Sequence, residues 1–194
     1  MLLIGFGAIG RHVARLLHPE ISSGRLRLTA LVRDLDKHAD HQGLGAELIE
    51  VESPQDPRWT ELRADVVVEC AGVPAARAYG PAVIAAGLPF VLTSVGALAD
   101  RPIRQSLLTG PGELQVTNGA IGGLDVLEAA AQAQGLDEVS IRTAKAPARL
   151  IQPWMDAEEV RRLRSLNPAD GPLTIFTGSP AEAIVKFPSN VNIT

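Results

Sequence analysis

Close to its start the chain carries Gly5-Phe-Gly-Ala-Ile-Gly10, directly after the apolar run Leu2–Ile4. An amphipathic stretch follows, in which Ile9, Val13, Leu16 and Leu17 recur at helical spacing. A strand, a glycine turn and a helix in that order leave few folds open. The short apolar strand reads as one buried on both faces, and the helix must cross back over the sheet to reach the next parallel strand. Gly5 permits the tight turn, Gly7 lets backbone approach a pyrophosphate, and Gly10 lets helix pack on strand. The helix N-terminus, at Ala8 and Ile9, then stabilises phosphate charge. These five residues are the first candidate site, and they point to a dinucleotide.

The rest of the first half continues the alternation. Pro19 reads as the stop of the first helix, and Leu26 to Val32 as a second strand with Arg33 and Asp34 at its carboxyl end. An acid at that place binds the ribose hydroxyls of NAD, whereas an Arg accommodates the 2′-phosphate of NADP. Arg33 and Asp34 stand side by side, so both cofactors stay open, as does a pair of solvated loop charges. The polar stretch from Asp36 to Pro57 holds a helix and a short strand around Ala46 to Val51. Ala64 to Gly72 is the strongest strand pattern, a β-branched run that ends in Cys70, Ala71 and Gly72. A helix from Ala75 to Ala86, a strand from Pro89 to Ser94, a helix from Pro102 to Leu108 and a strand from Glu113 to Thr117 follow. This succession predicts an α/β fold, a Rossmann-type doubly wound parallel sheet.

Cys70, Ala71, Gly72, Ser94 and Val95 therefore fall at the carboxyl edge of two parallel strands, where cofactors bind. Small residues there let a nicotinamide or its ribose come close, and they equally suit plain strand–helix packing. Cys70 reads as a small buried hydrophobe rather than a nucleophile.

After a helix from Leu124 to Gln134 the character changes. Glu138 to Ala144 alternates as β, Asp156 to Leu166 reads as a charged helix, and Leu173 to Phe176 as a strand. Ser179 and Pro180 open a short helix to Val185. The boundary lies near residues 118 to 124. The expected organisation is a dinucleotide-binding domain over 1–120 and an α+β substrate domain over 121–194, C-terminally incomplete.

Composition narrows the function classes. The apolar fraction is 46% but aromatics are only 4%, so the core must be built from Ala, Val, Leu and Ile. The net charge of −4 is interspersed, with no basic stripe to neutralise a phosphate backbone, so nucleic acid is not an expected partner. No apolar run approaches the roughly 20 residues that cross a bilayer, and with a strand opening the sequence no signal peptide is expected. A single cysteine excludes an internal disulfide and a Cys-rich zinc site. His12, His18, His38 and His41 show no metal-ligand spacing, so no metal is expected. A cytoplasmic homo-oligomer acting on a small molecule is the expectation.

Gly-Ala-Ile-Gly recurs at Gly119 to Gly122, inside Asn118-Gly-Ala-Ile-Gly-Gly-Leu-Asp125, with flanks unlike those of the first copy. Together with Gly5 to Gly10, Val68-Glu-Cys-Ala-Gly72, Ser94-Val-Gly-Ala-Leu98, Gly135-Leu-Asp-Glu-Val139, Lys145-Ala-Pro-Ala-Arg149 and Phe187-Pro-Ser-Asn-Val-Asn192, it resembles the L-aspartate dehydrogenase family. The segments come in family order and span nearly the whole chain. The second glycine turn and the Phe-Pro-x-Asn-Val-Asn segment are far more specific than the first fingerprint.

The resemblance implies an NAD- or NADP-dependent oxidoreductase that interconverts L-aspartate and iminoaspartate. Iminoaspartate then hydrolyses to oxaloacetate and ammonia, or is drawn into pyridine nucleotide synthesis. Ala120 and Asn190 match family positions that contact the nicotinamide half of the cofactor. Lys145 and Arg149 are candidates for a substrate carboxylate by charge and position, the alternative being solvated cations on a β-hairpin. The family's catalytic His lies beyond the position of Thr194, so no residue of this chain takes that role, and the chain is expected to be a fragment. Two alternatives stay open. One is a related dehydrogenase or reductase of homoserine or dihydrodipicolinate type, and the other a non-catalytic nucleotide-binding homologue.

Overall fold

The computed structural model describes residues 1–41, 43–119 and 121–187, with only the backbone described at 39–41 and 168. By contacts the chain divides into two compact units, Met1–Thr117 and Asn118–Thr194.

In the first unit six strands form one parallel sheet: β1 (Leu2–Ile4), β2 (Thr29–Val32), β3 (Glu47–Glu50), β4 (Val67–Glu69), β5 (Phe90–Leu92) and β6 (Leu114–Val116). Their order is β3-β2-β1-β4-β5-β6, the doubly wound arrangement. The chain leaves β1 outward toward β2 and β3, then returns to the other side of β1 for β4, β5 and β6. The reversal falls between β1 and β4, and in such sheets the ligand crevice opens at the carboxyl ends of those strands.

Strand alternation divides the core. Leu2, Ile4, Leu31, Val67, Phe90 and Leu92 are buried on one face with Ala76, Val83 and Ile84 of α4 (Val73–Ala85) and Leu107 of α5 (Arg101–Thr109). Leu3, Ala30 and Val32 lie on the other face with Phe6 and with Ala14 of α1 (Ala8–Leu16). Both faces are covered, which is why these strands read as near-continuous apolar runs. Trp59, in the one-turn α3 (Arg58–Glu61), closes the first face edge-on to Tyr79 at 6.1 Å.

Pro19 does not end α1. That helix stops at Leu16, and Pro19 sits in the first turn of α2 (His18–Ser22), where its missing N–H costs no hydrogen bond. The strand patterns are longer than the strands. Ala64 to Gly72 contributes only Val67–Glu69 to the ladder, and the residues after Glu69 turn away to meet α4.

The second unit contains α6 (Leu124–Gln132), α7 (Ala157–Ser165) and α8 (Pro180–Lys186). Asp156 caps α7 in a reciprocal box with Glu159, and Ser179 does the same for α8 with Glu182. Trp154 donates its indole N–H to the Lys186 carbonyl at 2.7 Å and meets the Phe187 ring edge-on at 5.6 Å. Phe176 joins the pair at 5.9 Å from Phe187, and the Lys186 ammonium lies 4.7 Å from the Trp154 ring centroid.

The strands expected at Glu138 to Ala144 and Leu173 to Phe176 are absent among the described residues. Alternation gives a segment one apolar face but no ladder partner, and neither segment finds one here. Val139 and Ile141 consequently remain 50% and 58% exposed. The β-hairpin considered for Lys145 and Arg149 fails for the same reason. Lys145 precedes a single 3₁₀ turn, Pro147–Arg149. Among the described residues no helix is long and apolar enough to cross a membrane.

Candidate functional site

Three turns at the carboxyl edge of the sheet form the candidate site. The first follows β1. Gly5 adopts φ +96°, which favours glycine, and a Cβ there would lie 2.7 Å from the Ala71 Cβ. Gly10 is equally constrained, because its Cβ would lie 2.6 Å from the Gly5 carbonyl oxygen. Gly7 differs. It caps α1 in an extended conformation, and a Cβ on it would meet nothing within 4 Å. The space beside Gly7 is therefore open, while its neighbours are packed tight.

No side chain caps α1, and its first turn has no acidic residue. The first N–H groups of a helix, here those of Ala8 and Ile9, have no acceptor within the helix, an arrangement that suits an anion. Gly5, Gly7, Ala8, Ile9 and Gly10 thus lie together around the N-terminus of α1.

The second and third turns follow β4 and β5. Cys70 donates its thiol to the Gly5 carbonyl at 3.2 Å, tying the second turn to the first. Burial, with Glu69 beside it, pushes the Cys70 thiol up to about 12, so at neutral pH it is a weak donor and no nucleophile. Gly72 caps α4 with φ +110°. Ser94 precedes the 3₁₀ segment Val95–Ala99. Cys70, Ala71, Gly72, Ser94 and Val95 therefore line up along the edge of β4 and β5.

Glu69 escaped the sequence-based set of site residues. It is 0% exposed at the end of β4, and its carboxylate accepts from Ala71 N–H and Gly72 N–H, both at 2.7 Å. It also accepts from Ser94 N–H at 2.9 Å and the Ser94 hydroxyl at 3.0 Å. The signal was present as a carboxylate ending an otherwise apolar strand, a place where a buried charge needs a compensating set of donors.

Beyond β2 the two candidate selectors differ in their engagement. Asp34 accepts the Asp36 N–H at 3.1 Å and pairs with Lys37 at 2.8 Å. The Lys37 hydrogen bond holds the Asp34 carboxyl below the usual carboxylate range. Arg33 is exposed, and among the described residues no hydrogen bond or salt bridge engages it. In the second unit, Lys145 is half-buried and Arg149 exposed at the end of its 3₁₀ turn. Ala120 and Asn190 lie outside the described residues. Among the described residues no His, Cys, Asp or Glu cluster could hold a metal ion.

Comparison with known proteins finds separate family models for two successive parts of the chain. Residues 5–115 match the family model "Homoserine dehydrogenase, NAD binding domain", and residues 125–194 match "Aspartate dehydrogenase, C-terminal". The chain is 33% identical over 199 residues to the L-aspartate dehydrogenase of Serratia proteamaculans, covering 100% of this chain and 70% of that protein. It is 36% identical to that of Ruegeria pomeroyi over 98% of this chain and 66% of the relative. In fold it is similar to the crystal structure of aspartate dehydrogenase from Thermotoga maritima, with a TM-score of 0.60 at 24% identity over 99% of this chain and 69% of that one.

Proposed function

The chain belongs to the L-aspartate dehydrogenase family, and from that premise we propose that it serves the NAD(P)-dependent oxidation of L-aspartate to iminoaspartate. Iminoaspartate hydrolyses to oxaloacetate and ammonia, or feeds pyridine nucleotide synthesis. The observation that carries the cofactor half of this reading is the contrast within the first turn. A Cβ is excluded at Gly5 and Gly10, yet the position of Gly7 opens onto free space at an uncapped helix N-terminus.

Gly7 and the N–H groups of Ala8 and Ile9 would hold the pyrophosphate, and Arg33 or Asp34 the adenosine ribose or its 2′-phosphate. Cys70, Ala71, Gly72, Ser94 and Val95 would border the nicotinamide half, with Ala120 and Asn190 as further candidates from the family pattern. When bound, nicotinamide supplies the acceptor for the hydride that leaves the substrate α-carbon. The chain's task is then to hold the two carbons in line and to exclude water from that edge. Lys145 and Arg149 are the candidates for a substrate carboxylate, Arg149 offering a two-pronged donor. We take the enzyme to be a cytoplasmic homo-oligomer, which sedimentation of the purified protein tests.

The test of activity uses the product of the complete reading frame. With L-aspartate and NAD or NADP it should generate reduced cofactor and ammonia. Preference for homoserine over aspartate would favour the related-dehydrogenase reading, which the description of the family model over 5–115 keeps in view. A folded protein that turns over neither substrate would overturn the proposal.

A further inference from the structure

Glu69 is the one charged side chain of the described residues that is buried from solvent. Removing a carboxylate from water is costly, and an apolar residue at the end of β4 would serve the core better. What the carboxylate does instead is gather donors from two separate turns. One oxygen, Oε1, accepts from Ala71 N–H, Gly72 N–H and the Ser94 hydroxyl, and the other, Oε2, accepts from Ser94 N–H. Its own carbonyl accepts from the Thr93 hydroxyl at 2.8 Å. The turn after β4 and the turn after β5 are thus fastened to one side chain.

The lacing continues to the first turn. Ala71 packs where a Gly5 side chain would stand, and the Cys70 thiol reaches the Gly5 carbonyl. Without the carboxylate, three peptide N–H groups lose their acceptor, one of them that of Gly72, whose positive φ favours glycine. The two turns so released border one half of the crevice only. In a doubly wound sheet the β1-β2-β3 side receives the adenosine half of a dinucleotide and the β4-β5-β6 side the other half.

We propose that Glu69 is a positioning residue that fixes the nicotinamide-side rim of the cofactor crevice by tying the Ala71–Gly72 and Ser94 turns together. This rests on the dinucleotide reading above, and the test separates the two. Glu69→Gln keeps the shape but turns an NH₂ group toward at least one N–H donor. Binding of NAD, NADP and ADP to the whole chain is measured by calorimetry, with thermal unfolding as a check on folding. ADP reports the adenosine half alone.

The expected result is a loss of roughly tenfold in NAD(P) affinity, the scale of one charge-assisted hydrogen bond, with ADP affinity unchanged. If NAD(P) and ADP affinities fall together, or neither falls, Glu69 is a structural residue only and the proposal is overturned. If Glu69→Gln shows no cooperative unfolding, Glu69→Asp is read by the same criterion, because its shorter arm cannot reach both turns. A wild-type protein that binds ADP but neither NAD nor NADP would overturn the dinucleotide reading itself, and this inference with it.

Discussion

At Gly7 the structure separates folding from function. A Cβ there meets no protein atom within 4 Å beyond its chain neighbours, so Gly7→Val should fold and lose about 1 kcal/mol as a poorer helix cap. On the proposed reading it would stand where the pyrophosphate lies, so NAD(P) affinity should fall by more than about tenfold. Retained affinity in a folded variant would exclude this turn as the site. Arg33 poses a selectivity question, since Asp34 already has Lys37 and the Asp36 N–H while Arg33 remains available. Arg33→Ala should weaken NADP by about 1.5–3 kcal/mol, the range for hydrogen bonds to charged groups, and leave NAD unchanged. Equal losses for both cofactors would remove Arg33 from that role. Cys70 gives a third residue-level expectation. Its thiol is raised from 9.0 to about 12 in the fold, so the unfolded chain ionises first. That contribution to stability is present below pH 9.0 and is lost as the pH rises toward about 12. Cys70→Ala should flatten this alkaline decline in thermal unfolding, and alkylation of Cys70 at neutral pH should require denaturant.

Among the elements, the contact of α1 with β1 is the tightest piece of the site. A methyl group at Gly10 would press on the Gly5 carbonyl at 2.6 Å and approach the Cys70 sulfur at 3.3 Å. Gly10→Ala should therefore cost about 1–3 kcal/mol of stability, as overpacking does, measurable by denaturant titration. The spacing of Gly5, Gly7 and Gly10 made this element legible from the sequence, because each glycine answers a different local demand. The six-stranded parallel sheet was legible for a similar reason, since strands buried on both faces leave continuous apolar runs between helical periods. Glu138 to Ala144 and Leu173 to Phe176 misled because alternation records which face is apolar and is silent on whether a neighbouring strand exists. Pro19 misled because a proline that ends one helix and a proline that opens the next look alike one residue apart. The role of Glu69 was hidden for a different reason. Its partners at Ser94 come from another strand, and no local pattern encodes a bond across 25 residues.

For the whole molecule, the first unit carries a sheet edge at which three turns are laced through Glu69 and Cys70, the edge proposed for the cofactor. The second unit carries Lys145 and Arg149, and it is built on a small aromatic group of Trp154, Phe176 and Phe187. Phe187 opens the Phe-Pro-x-Asn-Val-Asn segment and is itself buried. Phe187→Ala should therefore lower the thermal stability of the second unit by about 3–5 kcal/mol, while ADP binding to the first unit persists. Loss of both together would contradict the division of labour. The central claim is hydride removal from the α-carbon of L-aspartate, and isotope transfer tests it most directly. L-Aspartate deuterated at the α-carbon is supplied with NAD or NADP to the product of the complete reading frame, and the reduced cofactor is analysed by mass spectrometry and NMR. Deuterium at C4 of the nicotinamide, matched by released ammonia, is the predicted result. Ammonia release without label in the cofactor, or no reduced cofactor from a folded protein, would contradict it.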